Sequence, residues 1–251
     1  MIPAFRHMGG KARLRRWLVN MFPLSCTRYI EPFAGKGNVY FLARYCLSAQ
    51  QWILADTDVK FLNALLTANF EDLPERVEKA DFAHWKASES DLAYLLEPRI
   101  TFAGKGYRFG YSGSSGTHVG YSGKSYKPVC MAARLILSDC QIIASDFSPV
   151  LDSCGEGDFV YLDPPYYGTN SCYSNIDHEH LVDKLNNAKF RWALSGYENP
   201  VYSRLNYTNL FQFERNSEIK SSNTRVRTPV VECLWTNYEP EKEVQLWQQY
   251  P

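Results

Sequence analysis

Asp163-Pro164-Pro165-Tyr166 is the segment of this chain best equipped for chemistry. It follows Asp158-Phe159-Val160-Tyr161-Leu162, a short apolar run that reads as a buried strand. Two prolines directly after a strand end its ladder, because proline has no N–H and a fixed φ. The turn leaves a carboxylate, the Pro164 carbonyl and the Tyr166 ring together at the carboxyl end of a strand, where open α/β sheets place their ligand crevice. Two acceptors and a stacking face can hold one flat, amino-bearing base.

A second segment gives that site a neighbour. Glu31-Pro32-Phe33-Ala34-Gly35-Lys36-Gly37-Asn38 follows the β-prone Arg28-Tyr29-Ile30. A Gly-x-Gly turn between a strand and a helix lets a ligand approach the backbone closely. The third glycine of a dinucleotide fingerprint is missing, so this is not the full pattern. Roughly 20 residues further on, Trp52-Ile53-Leu54-Ala55-Asp56 ends another strand with an acid, the position that binds ribose hydroxyls in such folds.

These motifs, in this order, resemble the Dam-like, D12 class adenine-N6 DNA methyltransferases. His7-Met8-Gly9-Gly10-Lys11 stands where that family has an aromatic-x-Gly-Gly-Lys segment, with His7 a departure from its usual aromatic residue. Pro32 to Gly37 match its Pro-Phe-x-Gly-x-Gly, and Ser145-Asp146-Phe147 matches the Asp-Phe that precedes the catalytic motif. The resemblance implies S-adenosyl-L-methionine as cofactor, with Asp56 on the ribose hydroxyls and Asp146 on the adenine amino group. It places Phe33, Phe147, Gly35, Gly37 and Lys11 around the same molecule. It implies an α/β fold: a Rossmann-like class I methyltransferase sheet with a late antiparallel hairpin, plus a small inserted target-recognition lobe. The expected division is 1–69 and 139–251 for the catalytic, cofactor-binding domain and 70–138 for the lobe.

The expected reaction follows from the needs of an exocyclic amine. The lone pair of adenine N6 is delocalised into the ring. Acceptors on its two hydrogens, Asp163 and the Pro164 carbonyl, free that lone pair for attack on an electrophilic methyl, and no metal is required. The base must leave the duplex to reach the site. Stacking on Tyr166 would restore part of the lost stacking, ~1–3 kcal/mol per base.

Charge supports a polyanionic partner, double-stranded DNA. The formal net charge is zero, but residues 1–50 hold eight Lys or Arg against one acid, Glu31. Between Thr101 and Arg134 there are five basic residues and no acid. Thr101 to Lys127 is rich in glycine, serine and tyrosine and reads as a loop for nucleic acid, with Lys105, Arg108, Tyr111, Tyr121, Lys124 and Lys127 as its contacts. Arg225 and Arg227, on a basic span between the last two strands, join that set.

Other classes fit less well. Seven cysteines include no Cys-x-x-Cys pair, which points to free thiols rather than a zinc site or disulfide scaffold. No run of about 20 apolar residues suggests a membrane span, and the N-terminus lacks the apolar core of a signal peptide. The expected setting is the cytoplasm of a bacterial or phage-infected cell. An RNA adenine-N6 methyltransferase and a catalytically idle nucleic-acid-binding module of the same fold remain as alternatives. Asp163 argues against a cytosine-N4 enzyme, which usually has serine there. The target sequence is not legible.

Overall fold

The computed structural model describes residues 2–5, 11, 14–101, 121–168, 176–216 and 229–241. Seven strands form one sheet: β1 (Ser25–Glu31), β2 (Ser48–Asp56), β3 (Cys140–Ala144), β4 (Phe159–Leu162), β5 (Arg191–Gly196), β6 (Asn209–Asn216) and β7 (Pro229–Thr236). Their spatial order is β3-β2-β1-β4-β5-β7-β6. β1 to β5 run parallel, whereas β7 is antiparallel to both β5 and β6. This is the expected doubly wound sheet with its late hairpin. The strand order reverses between β1 and β4, and the carboxyl ends of those strands flank the crevice.

Strand alternation divides the core between two faces. Tyr29, Trp52, Leu54, Phe159 and Tyr161 point to one face; Ile30, Ile53, Ala55, Val160 and Leu162 point to the other. Both sets are buried, which explains why the central strands read as continuous apolar runs rather than alternating ones. The aromatic face is covered by α1 (Arg15–Asn20), α2 (Tyr40–Cys46), α3 (Lys60–Thr67), α5 (Asp91–Ile100) and α6 (Gly123–Leu137). The short α4 (Phe82–Ala87) lies beside α5. The aliphatic face is covered by α7 (Phe147–Asp152) and α8 (His178–Asn186). None of the described helices is long and apolar enough to cross a membrane.

One expectation is corrected. Residues 101–127 are not a single loop, because α6 begins at Gly123. Tyr126, Cys130, Ala133 and Leu137 form a helical stripe, and all four are buried. Glycine starts this helix for a steric reason: a Cβ on Gly123 would lie 2.4 Å from the Pro74 carbonyl oxygen. The glycine and serine content of the segment hides that stripe. In the structure, α1 begins at Arg15, with Lys11 in the turn that precedes α1.

Candidate active site

The site is assembled at the carboxyl ends of β1, β2, β4 and β5. On the β2 side, the chain leaves β1 through Pro32 and Phe33 into a turn with Gly35 at φ 51° and Gly37 at φ 71°, conformations that favour glycine. A Cβ on Gly37 would also crowd the Phe41 ring at 3.2 Å. The turn is fastened to β2, because the Gly35 N–H donates to Asp56 Oδ2 at 2.8 Å and the Asp58 N–H donates to Oδ1 at 3.1 Å. Burial raises the Asp56 pKa above the ordinary carboxylate value, and the two backbone donors oppose that shift. Asp146 caps α7 by accepting the Ser148 N–H at 3.0 Å. The rings of Phe33 and Phe147 lie 5.4 Å apart between these two acids. An acid at the end of β2, a glycine turn and an aromatic pair beside a second acid form a donor set that fits a nucleoside carrying a cationic substituent.

On the β4 side the contacts join side chains. Lys11, 4 % exposed, places its ammonium 2.6 Å from Asp163 Oδ1. Ser195 donates to the same oxygen at 2.9 Å from the neighbouring position on β5. Tyr161 lies 3.1 Å from the Ser195 hydroxyl. With Tyr161 donating, the three residues form a chain of hydrogen bonds that ends on Asp163. Both donors converge on Oδ1. Burial raises the Asp163 pKa, and the Lys11 charge opposes the shift.

Tyr166 is enclosed on three sides. Its hydroxyl donates to Glu232 Oε2 at 2.6 Å, the Tyr197 ring meets it edge-on at 4.4 Å, and the Lys11 ammonium lies 4.5 Å from its centre. Burial, reinforced by Asp163 and Glu232, keeps its phenol protonated and therefore a donor. A further carboxyl, Glu31, ends β1 and accepts the Tyr29 hydroxyl at 2.6 Å. Burial pushes its pKa up to about 8.

Lys11 is reached through the N-terminal segment. Phe5 and Asn38 exchange hydrogen bonds at 2.8 Å each, and Arg15 donates to the Pro3 carbonyl at 2.6 Å. The segment is thus tied to the end of the glycine turn, and the Lys11 carbonyl accepts the first N–H groups of α1.

The structure therefore brings Asp163, Tyr166, Lys11, Phe33, Gly35, Gly37, Asp56, Asp146 and Phe147 to the strand ends around the crevice. Pro164 and Pro165 form the extended turn between Asp163 and Tyr166. Ser195, Glu232, Tyr197 and Asn38 were missed by sequence reasoning. Only Ser195 left a signal, as a polar residue ending an apolar strand. The nucleic-acid contacts are dispersed. Lys105, Arg108, Tyr111, Arg225 and Arg227 lie outside the described residues, as do His7 to Gly10. Tyr121 is buried and donates to the Pro74 carbonyl at 2.8 Å, so its ring faces the interior. Lys124 is exposed at the start of α6, and Lys127 lies 3.5 Å from Glu71 and 3.9 Å from Glu75.

Residues 7–98 match the family model of the D12 class N6 adenine-specific DNA methyltransferases. The chain is 24% identical over 212 residues to the Type II methyltransferase M1.LlaDCHI of Lactococcus lactis subsp. cremoris, with 70% of each covered. Among solved structures it is similar to the C-terminal domain of precorrin-6Y C5,15-methyltransferase from Rhodobacter capsulatus, with 9% identity and a TM-score of 0.44, over 94% of this chain and 97% of that one. A second is the precorrin-6Y C5,15-methyltransferase of Geobacter metallireducens, with 8% identity and a TM-score of 0.40, over 90% and 88%.

Proposed function

We propose that this D12 class methyltransferase methylates the N6 amine of adenine in double-stranded DNA, at a base turned out of the helix. S-adenosyl-L-methionine, the cofactor of the family, supplies an electrophilic methyl group. The observation that carries the reading is the fixing of Asp163: Lys11 and Ser195 hold one carboxylate oxygen at 2.6 Å and 2.9 Å at the carboxyl end of β4, and in this reading the other oxygen serves the substrate amine.

In this reading each residue takes the role that the resemblance implies for it. Asp56 takes the ribose hydroxyls, and the Gly35–Gly37 turn admits the amino-acid end of the cofactor. Asp146 accepts from the cofactor's adenine, which lies between Phe33 and Phe147. Asp163 Oδ2 accepts one hydrogen of the substrate amine and the Pro164 carbonyl accepts the other. Pro165 keeps Tyr166 at the height of the ring it meets. The pairing of Asp163 with Lys11 favours its ionised form against burial, so it can accept the proton released late in the transfer. Most of the acceleration then comes from alignment within a preorganised polar site.

In this reading the target-recognition lobe lies within residues 70–138, although α5 and α6 of that span pack on the aromatic face of the sheet. Lys105, Arg108, Tyr111 and Lys124 on the lobe, with Arg225 and Arg227 on the β6–β7 connection, meet the phosphates and bases. Lys127 adds its charge at the foot of α6. Tyr121 supports the lobe from inside.

Nucleoside mass spectrometry tests the proposal. Unmethylated DNA and an RNA pool are incubated separately with the protein and S-adenosyl-L-methionine. N6-methyladenine is expected in DNA, and its formation is expected to be strongly slowed with Asp163→Ala. The product in RNA alone would overturn the choice of substrate. No methylated base in either pool, despite cofactor binding, would overturn the nucleic-acid reading.

A further inference from the structure

Glu232 is a carboxylate where a sheet core has little reason to hold one. It is 3 % exposed, and the residues after it on β7, Cys233, Leu234 and Trp235, are apolar and buried. Burying a charge is costly unless a partner compensates it. The hydroxyl of Tyr166, 66 residues earlier in sequence, supplies a short bond of 2.6 Å to its Oε2. Topology explains how a β7 residue reaches the crevice. β7 is antiparallel to β5, and Cys233 pairs with Gly196 at the carboxyl end of that strand. Glu232 therefore lies one step beyond, level with the turn that leaves β4.

The bond closes the last freedom of Tyr166. The prolines set its backbone, the Tyr197 ring lies across it at 73°, and Lys11 stands 4.5 Å from its centre. A tyrosine ring so bounded can still tilt about its Cβ, and tethering the hydroxyl at its far end restricts that tilt. We propose that Glu232 is a positioning residue of the methyl-transfer centre: its carboxylate holds the Tyr166 hydroxyl and so sets the angle at which the ring meets the base presented to Asp163. The inference rests on the methyltransferase reading and adds to it a residue on the strand farthest along the chain.

The test is a mutant cycle on Glu232 and Tyr166, read as single-turnover methylation of duplex DNA with cofactor affinity and thermal unfolding measured alongside. Glu232→Leu is expected to slow the turnover step by roughly 10- to 100-fold, the cost of losing a hydrogen bond to a charged group. Cofactor affinity should not change. Glu232→Gln keeps an acceptor of the same shape and should recover part of the rate. Tyr166→Phe combined with Glu232→Leu should be no slower than the slower single variant, because both remove the same interaction. Unchanged turnover in both Glu232 variants, or losses that multiply in the double variant, would overturn the proposal. So would a loss that merely follows the folded fraction. A wild-type protein that leaves DNA unmethylated would break the functional reading instead. The Glu232 contact is then decided by the carbon-13 spectrum of labelled tyrosine: the Tyr166 signal, identified by its absence in Tyr166→Phe, must move in Glu232→Gln, and a fixed signal overturns it.

Discussion

The two halves of the crevice are built by different means. The half proposed to hold the cofactor is made largely of backbone: a glycine turn, a capped helix start, and an acid 21 residues from the N–H that it accepts. The catalytic half is made of side chains brought together from afar. Lys11 and Asp163 are 152 residues apart, and Tyr166 and Glu232 are 66 apart. A site of the first kind is carried by one supersecondary unit. A site of the second kind requires most of the sheet to form first. It also brings carboxyls within reach of one another: Glu232 acts on Asp163, and Asp163 on Glu31.

The comparison predicts separable failures. Asp163→Ala should lower the methylation rate by about 100- to 1,000-fold, comparable to removal of one preorganised electrostatic group. Its cofactor affinity, measured by calorimetry, should stay close to wild type; a large loss of affinity would mean that the halves are not separate.

Glu31 gives the catalytic half a distinctive pH response. Burial pushes its carboxyl up to about 8 in the fold, from an ordinary value of 4.5. The native protein therefore keeps a proton that the unfolded chain releases, and stability falls as pH rises between those values and levels off above them. Glu31→Gln should remove that part of the slope, a change on the order of a few kcal/mol. Thermal unfolding at pH 5 and pH 8 decides it, and an identical slope in the variant would exclude Glu31 as the source.

Asp56→Ala addresses the other half. It should weaken cofactor binding by roughly 10- to 100-fold through loss of a charged acceptor. With the cofactor saturating, the turnover step should change far less. Ser195→Ala is the mildest. It removes one of two donors on Asp163 Oδ1 and should slow turnover by about 10-fold, with a rate–pH profile whose acidic limb shifts upward as the carboxylate loses a stabilising bond. A profile that stays in place would mean that Lys11 alone governs the charge of Asp163.

What sequence made legible follows the same divide. The glycine turn, the acid ending β2, the Asp146-Phe147 pair and the prolines after β4 are local, and each is marked by residue type and spacing. The central strands and the closing hairpin were equally plain, because fully buried strands read as short apolar runs between turn residues. The start of α6 was not, since its buried stripe follows a run rich in glycine and serine, in which Gly123 serves a close approach to Pro74.

The sequence by itself determined that this chain forms a doubly wound sheet with a carboxylate, two prolines and a tyrosine at the end of one strand. It also determined that a glycine turn and a second acid stand at the ends of two others. Only the tertiary structure decided which groups hold that carboxylate and that tyrosine. Lys11, Ser195 and Glu232 come from the N-terminal turn, a parallel strand and an antiparallel strand. Their meeting depends on strand order and direction, and no spacing along the chain records a contact made across a sheet.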